Sequence, residues 1–394
     1  MSRIVFFNIP AWGHTNPTVE VVRELSRRGH QVCYYSFEPF REKLEEAGAE
    51  VICCDSALPP QPKNLEKKVG KDFASLIEMV VDTTLALDQQ VCDELIRFQP
   101  DVIVSDSVCF WGKLFAQKLE IPYVCSTTTF AFNQDTARLM KPKAGEMLCS
   151  LLGFPRIGRK IKELKQRGYQ VNQVTDLLQN DNDTRTIVYT SRDFQPMADT
   201  FSENYAFVGP SLPENSAFVK QTNARPLVYV SLGTVMHDRK KFCRNCVDAL
   251  KKLDVDAIVS VGTQENLAAM GGLPSNIRAE IRVDQLAVLQ QADVFLTHCG
   301  MNSVSEAIWY GVPMVLNPQQ SEEATVANRA AELGLGVLLE DERPAAIQKA
   351  IMQILNEPAY SAKTNDLRQT FIQAGGAVRA AEYILNSCRN SNNN

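Results

Sequence analysis

Residues 293–306, DVFLTHCGMNSVSE, form the strand–turn–helix transition around which the rest of the chain is organised. The apolar run predicts a short buried strand ending at Thr297, and a helix is predicted over residues 301–310, after Gly300. The N–H groups at such a helix N-terminus favour phosphate. Four polar side chains lie within ten positions here, those of His298, Asn302, Ser303 and Glu306. Helix capping explains any one of them, but less easily all four together.

Length and composition indicate a two-domain globular protein. The chain has 394 residues, 45% of them apolar and 22% charged. A net charge of −5 argues against nucleic acid as a partner. The sequence predicts no membrane span, export signal or obligatory protein partner, so a cytoplasmic location is expected. The cysteines lie mostly in apolar segments, and the Cys243–Cys246 pair on a predicted helix is not expected to bind zinc.

Strands and helices alternate along the chain, which predicts an α/β fold of two Rossmann-like, doubly wound parallel-sheet domains facing across a cleft. Pro17 is expected to start the first helix after an Asn16 cap, and residues 281–283 are expected to form a strand. The linker is placed where three prolines interrupt the alternation. The predicted parts are an N-terminal domain at 1–208, a linker at 209–226, a C-terminal domain at 227–360, one terminal helix at 361–389 packing back on the N-terminal domain, and a disordered tail at 390–394.

Two titratable residues are expected at the carboxyl edge of the first sheet. His14 lies on a glycine-bearing loop after the first strand, where it is a candidate general base or makes a local hydrogen bond. Asp106 ends a later strand, from which its carboxylate could orient that histidine, although capping a turn is the more common use of aspartate. That His14 and Asp106 lie close enough to pair is therefore a hypothesis.

Other glycine and aspartate motifs are weaker. Ser231-Leu-Gly-Thr234 is a second glycine loop suited to phosphate, but S-x-G-T alone has little specificity. No G-x-G-x-x-G follows a strand, which argues against a nicotinamide dehydrogenase. The pairs Asp181/Asp183 and Asp254/Asp256 do not suit a metal–diphosphate clamp, so no metal site is predicted.

Taken together, these motifs resemble the GT-B glycosyltransferases of the UDP-glycosyltransferase superfamily, in particular the bacterial macrolide-glycosyltransferase branch. The resemblance extends over nearly the whole chain and keeps the order and spacing of the family's donor-binding signature. The segments that carry it are Gly13-His-Thr-Asn-Pro17, Ser231-Leu-Gly-Thr234, Asp284-Gln-Leu-Ala-Val-Leu289, Thr297-His-Cys-Gly-Met-Asn-Ser303, Glu306 and Gly311-Val-Pro-Met314.

The resemblance implies a role for each matching residue. His14 would deprotonate the acceptor hydroxyl and Asp106 would orient it. The donor-binding residues implied are Ser231, Gly233 and Thr234 in the glycine loop, Arg282, the Val283 backbone and Gln285 at the base, His298 at the diphosphate, Gly300, Asn302 and Ser303 at the α-phosphate, Glu306 at the ribose, and Glu322 and Glu323 at the sugar. In-line attack would invert the anomeric centre, and fixed donors would stabilise the leaving diphosphate without a metal.

Two positions depart from the family pattern. Arg282 stands where the family often stacks an aromatic ring on the nucleobase. A planar guanidinium can also stack on a base, but it adds a positive charge. Glu323 replaces the glutamine of an acidic–glutamine pair that reads sugar hydroxyls, which removes a donor and adds a charge. The usual family donor, UDP-glucose, is expected here, with the identity of the sugar left open by Glu323.

The resemblance therefore implies a UDP-hexose-dependent glycosyltransferase that uses no cofactor beyond its sugar-nucleotide co-substrate. Its acceptor is expected to be a hydroxyl of a hydrophobic small molecule such as a macrolide, polyketide or phenolic. A nucleotide-sugar epimerase on a similar fold, or a sugar-nucleotide-binding protein without turnover, are the alternatives. The expected acceptor pocket comprises Trp12, Phe110, Trp111 and Phe130, with the loop at 55–70 and the helices within 130–178, although such apolar residues are more often core.

Overall fold

Parallel strands joined by helices build two separate sheets in the computed structural model. The structure describes residues 1–56, 73–137, 144–178, 182–213, 224–231 and 239–390. The chain divides into two compact units. The first contains Met1–Tyr189, Met197–Ser211 and Gly375–Asn394, and the second contains Thr190–Pro196 and Leu212–Ala374.

The sheet of the first unit has seven strands within the described residues, in the order β3-β2-β1-β4-β5-β6-β7. Every pairing is parallel. The strands are β1 Arg3–Phe7, β2 Gln31–Ser36, β3 Glu50–Cys53, β4 Val102–Asp106, β5 Tyr123–Thr127, β6 Thr186–Val188 and β7 Tyr205–Phe207. The chain leaves β1 toward β2 and β3 and returns to β4 on the other side of β1. This reversal is where doubly wound sheets present their loops to a ligand.

The helices described for the first unit pack on this sheet and on each other. They are α1 Trp12–Arg27, α2 Arg41–Glu46, α3 Phe73–Phe98, α4 Phe110–Lys118, α5 Gln134–Ala137, α6 Ala144–Gln166 and α7 Val174–Leu178. The central strands are buried on both faces, as in β1 and β4, whose residues 4–7 and 102–106 are at most 2% exposed. Among the described residues, no helix is long and apolar enough to span a membrane.

The second unit repeats the architecture with six strands within the described residues, in the order β10-β9-β8-β11-β12-β13. All of its pairings are parallel. The strands are β8 Leu227–Ser231, β9 Asp256–Ser260, β10 Ile277–Glu280, β11 Val294–Thr297, β12 Met314–Leu316 and β13 Gly336–Leu338. The helices are α8 Lys240–Leu250, α9 Gln264–Ala268, α10 Gln285–Leu289, α11 Met301–Trp309, α12 Ser321–Glu332, α13 Pro344–Asn356 and α14 Pro358–Gln373. The predicted fold class is confirmed, and the reversal in this sheet lies between β8 and β11.

The first helix begins earlier than the sequence predicts. Helix α1 starts at Trp12, and Pro17 lies inside it. The N–H groups of His14 and Thr15 both bond to the Ala11 carbonyl, at 3.1 and 3.0 Å, so a helical turn is already formed before the proline. The prediction that Asn16 caps a helix starting at Pro17 is therefore wrong.

The strand predicted at 281–283 lies instead at 277–280, as β10. Residues 277–283, IRAEIRV, alternate with one unbroken period of two, so the pattern alone does not fix where the strand ends. In the structure Ile277 is 4% exposed and pairs with Ala257, whereas Ile281 is 36% exposed. The core therefore uses the first half of the alternating run.

The single terminal helix predicted at 361–389 is two helices. Helix α14 ends at Gln373, and α15, Gly376–Asn390, follows it. Gly375, which lies between them, and Gly376, the first residue of α15, have φ values of 92° and 56°, a region that ends a right-handed helix. Helix α14 belongs to the second unit and α15 to the first. In the first unit, α15 contributes Ala380, Ala381 and Ile384 to the same core as the central strands.

Candidate functional site

Three neighbouring strands of the first unit end in polar residues at one edge of the sheet. Asn8 follows β1, Asp106 is the last residue of β4, and Thr128 follows β5. Because β1, β4 and β5 are adjacent and parallel, their carboxyl ends meet at the reversal point of the sheet. Helix α1 starts from the same edge and carries His14 in its first turn.

The imidazole of His14 contacts the buried carboxylate of Asp106. Nδ1 lies 2.8 Å from Oδ2, with the His14 side chain 19% exposed and the Asp106 side chain 1% exposed. The other carboxylate oxygen, Oδ1, accepts the Val108 backbone N–H at 2.8 Å, which holds the carboxylate in place. A carboxylate at Nδ1 selects the tautomer with its proton on that atom, and this places the lone pair of the neutral ring on Nε2. The arrangement suits a general base.

A buried polar group supports the loop that carries His14. The Asn8 side-chain amide donates to the His14 carbonyl at 2.9 Å and to the Tyr34 hydroxyl at 3.0 Å. The Thr18 hydroxyl lies 2.8 Å from the same Tyr34 hydroxyl and donates to the Thr15 carbonyl at 2.7 Å. Since these groups are buried, each gains more from its partner than it would in water. They tie the start of α1 to β1 and β2.

The aromatic residues expected to line an acceptor pocket differ in exposure. Trp12 is 36% exposed, and its ring lies 4.6 Å from that of Phe40. Phe110 and Phe130 are buried. Trp111 belongs to the hydrophobic core of the first unit, as expected of a residue used for packing. Its assignment to the pocket is therefore not supported. Of the predicted lining loop at 55–70, residues 57–70 lie outside the described residues, as do 138–143 within 130–178.

The corresponding edge of the second unit carries His298. It follows β11, which pairs with β8 so that Thr297 lies opposite Ser231. The Nδ1 atom of His298 is buried and has no hydrogen-bond partner among the described residues. Burial lowers the pKa of His298, while the Glu323 carboxylate and the Ser231 backbone act in the opposite direction. A buried nitrogen without a partner at a helix N-terminus suits an anionic ligand.

The turn between β11 and α11 is shaped by two small residues for different reasons. A Cβ atom built on Gly300 would lie 2.7 Å from His298 Nε2, so a larger residue here would displace the imidazole. Cys299 instead holds the unusual backbone angle, with φ at 70°, and its thiol is fully buried. Burial raises the pKa of this thiol well above its usual range, so it stays protonated.

A hydrogen-bonded cluster lies beside the first turn of α11. Gln285, the first residue of α10, donates through Nε2 to Ser303 Oγ at 3.2 Å and to Glu306 Oε2 at 2.5 Å. Its Oε1 accepts the Tyr229 hydroxyl at 3.1 Å. Burial raises the pKa of Tyr229 to about 12, so the hydroxyl remains a donor. The structure thus brings together three predicted donor-binding residues, and Asn302 lies on the same turn.

Sequence reasoning missed Tyr229 and Asn8. Tyr229 lies in the middle of an apolar strand, where a tyrosine normally indicates core packing. Its ring does stack on Phe295 at 4.8 Å, and only its hydroxyl reaches the cluster. Asn8 carried a usable signal, because a polar residue directly after a buried strand lies at the functional edge of the sheet.

Glu323 has a structural role that the sequence did not predict. Its Oε2 atom accepts the backbone N–H groups of Gln319 and Gln320, at 2.7 and 3.0 Å, in a capping box at the start of α12. This carboxylate oxygen is committed to the backbone, so any direct reading of sugar hydroxyls by Glu323 would use its other oxygen, Oε1. Glu322 is exposed on the same turn.

The remaining predicted positions are exposed, have structural roles or lie outside the described residues. Arg282 is exposed and Val283 half-buried between β10 and α10. Gly233 and Thr234 lie outside the described residues, as does Asp181. Asp254 and Asp256 pair with Arg225 at 3.9 and 2.5 Å, which is the use expected of surface carboxylates. Cys243 and Cys246 are buried in the core of the second unit.

Comparison with known proteins places the chain in a family. Residues 244–375 match the family described as erythromycin biosynthesis protein CIII-like, C-terminal domain. The chain is 32% identical to the NDP-glycosyltransferase YjiC of Bacillus subtilis (strain 168), over 97% of this chain and 96% of that protein. It is 30% identical to demethyllactenocin mycarosyltransferase of Streptomyces fradiae, over 98% and 86%. A solved structure, the glycotransferase of kitacinnamycin, superposes with a TM-score of 0.84 at 27% identity and covers 98% of both chains.

The two Rossmann-like sheets, each with polar groups at its reversal point, define a GT-B glycosyltransferase. The chain belongs to the macrolide-glycosyltransferase branch of the UDP-glycosyltransferase superfamily.

Proposed function

We propose that the protein is an inverting glycosyltransferase that moves a hexose, glucose, from UDP to a hydroxyl of a hydrophobic natural product. The observation that carries the proposal is the contact of 2.8 Å between His14 Nδ1 and the buried Asp106 carboxylate. Transfer to a hydroxyl needs a base, and a histidine whose Nδ1 contacts a carboxylate presents the lone pair of its neutral form on Nε2. An epimerase has no acceptor hydroxyl to deprotonate, and a silent binding protein needs no base.

In the proposed reaction, His14 Nε2 takes the proton of the acceptor hydroxyl. The acceptor oxygen forms a bond to the anomeric carbon as the bond from that carbon to the β-phosphate oxygen breaks. The bonding electron pair leaves with UDP, and attack from the face opposite the leaving group inverts the centre. Asp106 stabilises the imidazolium that forms, because the charged ring has a buried carboxylate at its Nδ1.

The second unit would bind the leaving group. N–H groups at the start of α11, with Asn302 and Ser303, suit the α-phosphate, and the buried His298 nitrogen without a partner suits the diphosphate. Such fixed donors stabilise the charge that develops on UDP, so neither a metal ion nor an organic cofactor is expected to take part. The Gln285–Glu306 pair would bind the nucleoside, with Glu306 at the ribose and Gln285 beside Arg282 and the Val283 backbone at the base.

The choice of donor and acceptor rests on the relatives and on the exposed residues. One relative is named for mycarose and another for nucleoside diphosphates in general, so the relatives' names do not select one donor. The choice of UDP-glucose is therefore the part of the proposal that goes beyond them. Glu322 would read the sugar, since the Glu323 oxygen is used in the helix cap. Trp12, the most exposed of the predicted pocket aromatics, would contact an apolar acceptor. The setting proposed is the cytoplasm, without nucleic acid, membrane or an obligatory protein partner.

The test is incubation with UDP-glucose and a panel of macrolides and flavonoids, followed by UDP release and product mass. Acceptor-dependent release with a product heavier by one hexose supports transfer. An isomerised nucleotide sugar would support epimerisation, and binding without either product would support the silent module. UDP-galactose and dTDP-glucose in parallel test the sugar and the nucleotide, and EDTA is expected to leave the rate unchanged.

Two variants test the base assignment in the same assay. His14→Ala is expected to abolish transfer while leaving UDP binding intact, because His14 lies in the first unit and the donor residues in the second. Asp106→Asn is expected to lower kcat by about 10²-fold or more, since an amide no longer selects the tautomer. Turnover by His14→Ala at the wild-type rate contradicts the assignment.

A further inference from the structure

Thr128 touches the proposed catalytic base and has no role assigned so far. Its Oγ1 atom lies 3.1 Å from His14 Nδ1, on the same ring nitrogen that contacts Asp106. Thr128 is 3% exposed and follows directly on β5. The ring nitrogen therefore has two oxygen neighbours, a carboxylate from the end of β4 and a hydroxyl from the end of β5.

The geometry points to Thr128 as a positioning residue that holds His14 in its reactive tautomer and orientation, an inference that rests on the proposed transfer. When Nδ1 carries the proton it donates to Asp106 Oδ2, and Thr128 Oγ1 is placed to accept the same N–H as a second, weaker branch. Two acceptors from different strands restrict rotation of the imidazole more than one does. The carboxylate also disfavours the opposite tautomer, in which an Nδ1 lone pair would face it.

The surroundings of Thr128 support a role in orientation. The His14 backbone is held by the Asn8 amide at 2.9 Å, so the Cα position of His14 is set independently of the ring contacts. Asp106 is held through Oδ1 by the Val108 N–H at 2.8 Å. With the His14 backbone and the Asp106 carboxylate both held, the orientation of the imidazole depends on contacts of the ring itself, and Thr128 makes one of these at Nδ1.

The next threonine along the chain supplies a matched control. Thr127 is the last residue of β5, is 5% exposed and directs its hydroxyl to Ser107 Oγ at 3.0 Å. Replacing either threonine by valine removes one buried hydroxyl at the same strand end and keeps the shape of the side chain. Only the change at position 128 removes a contact with His14.

The experiment compares Thr128→Val, Thr128→Ser and Thr127→Val. Thr128→Val is expected to lower kcat by about three- to tenfold, the worth of one neutral hydrogen bond, with the donor KM unchanged. The acidic limb of its pH–rate profile should move to lower pH, because an accepting oxygen stabilises the charged ring more than the neutral one. Thr128→Ser should restore both properties, and Thr127→Val should leave both unchanged.

A second readout needs no substrate. The chain has four histidines, so ¹⁵N-histidine NMR gives a short set of signals, and His14→Gln identifies those of His14. Thr128→Val is expected to reduce the fraction of His14 protonated at Nδ1, and Thr128→Ser to restore it. This separates the two proposals, since the NMR result stands even if no acceptor is ever glycosylated. A wild-type tautomer fraction in Thr128→Val, failure of serine to rescue, or a change in the donor KM alone would overturn the role.

Discussion

If His298 contacts the diphosphate as proposed, its imidazole is expected to couple ligand binding to a proton. Burial lowers its pKa, so the neutral ring prevails at neutral pH in the free protein. A bound diphosphate would favour the protonated ring, so binding takes up a proton and UDP affinity should rise as pH falls from 8 to 6. The limit for one linked proton is about tenfold per pH unit. Calorimetry in buffers of different ionisation enthalpy measures the uptake.

The His298→Asn variant is the control for this prediction. It keeps a polar side chain but has no group that titrates in this range, so any remaining pH dependence belongs to UDP or to other groups. The His298 contribution is the difference between the two proteins. Equal proton uptake by wild type and variant would remove His298 from the diphosphate site.

Cys299 concentrates backbone strain in the turn before α11. Its φ of 70° lies in the left-handed region, which is costly for a β-branched side chain. Cys299→Val should therefore lower the free energy of unfolding by about 1–3 kcal/mol more than Cys125→Val does. Cys125 is equally buried but lies in the extended strand β5. Urea unfolding of both variants gives the comparison, and equal losses would show that the strain is not significant.

At the scale of elements, the start of α12 tests the role of Glu323. Glu323→Ala removes the acceptor for the Gln319 and Gln320 N–H groups and should lower stability by about 1 kcal/mol. Glu323→Gln retains a side-chain oxygen at the same place and should keep most of that stability. Thermal unfolding of the two variants separates the cap from the charge. A loss as large in Glu323→Gln as in Glu323→Ala would mean that the charge, not the hydrogen bonds, stabilises the helix.

The same substitution addresses the donor. Glu323→Gln restores the residue that the family pattern has at this position and removes a negative charge that acts on His298. If the cap is the main role of Glu323, the ratio of kcat/KM for UDP-glucose to that for UDP-galactose should change by less than about threefold. A large change in that ratio would indicate that Glu323 contacts the donor sugar.

Elements were predictable from sequence where one physical rule decides them. Burial on both faces makes central strands such as β11 apolar, and the carboxyl-edge rule placed His14 and Asp106 at one sheet edge. The period-two run at 277–283 fixed a strand but not its end, because the core chooses between Ile277 and Ile281. The Glu323 cap and the Thr128 contact depend on the positions of single backbone atoms and side chains, which no local pattern encodes.

At the scale of the molecule, the chain order of the units was harder to predict than the fold. Composition and alternation indicate two Rossmann-like domains, and the structure has them. The sequence suggested two passages between the domains, one through the proline-bearing segment and one where a terminal helix starting at 361 packs back on the N-terminal domain. The structure assigns Gly375–Asn394 to the first unit, so the chain returns later than that, and it also assigns Thr190–Pro196 to the second unit, which the sequence did not predict. Segment 190–196 joins the second unit through particular contacts, such as the hydrogen bond of 3.1 Å from the Arg329 guanidinium to the Phe194 carbonyl. The sequence of the segment does not predict these contacts.

Each unit has its own hydrophobic core, so each is expected to unfold in its own transition. Ile384 and Ile351 are fully buried in the cores of the first and second units. Replacing either by alanine should cost about 2–5 kcal/mol and lower a different calorimetric transition. UDP at about 100 times its Kd should stabilise by about 2.7 kcal/mol only the transition that Ile351→Ala lowers, since the donor residues belong to that unit. If both variants lowered one common transition, the units would unfold as a single cooperative body, and UDP would then protect Ile384→Ala as well.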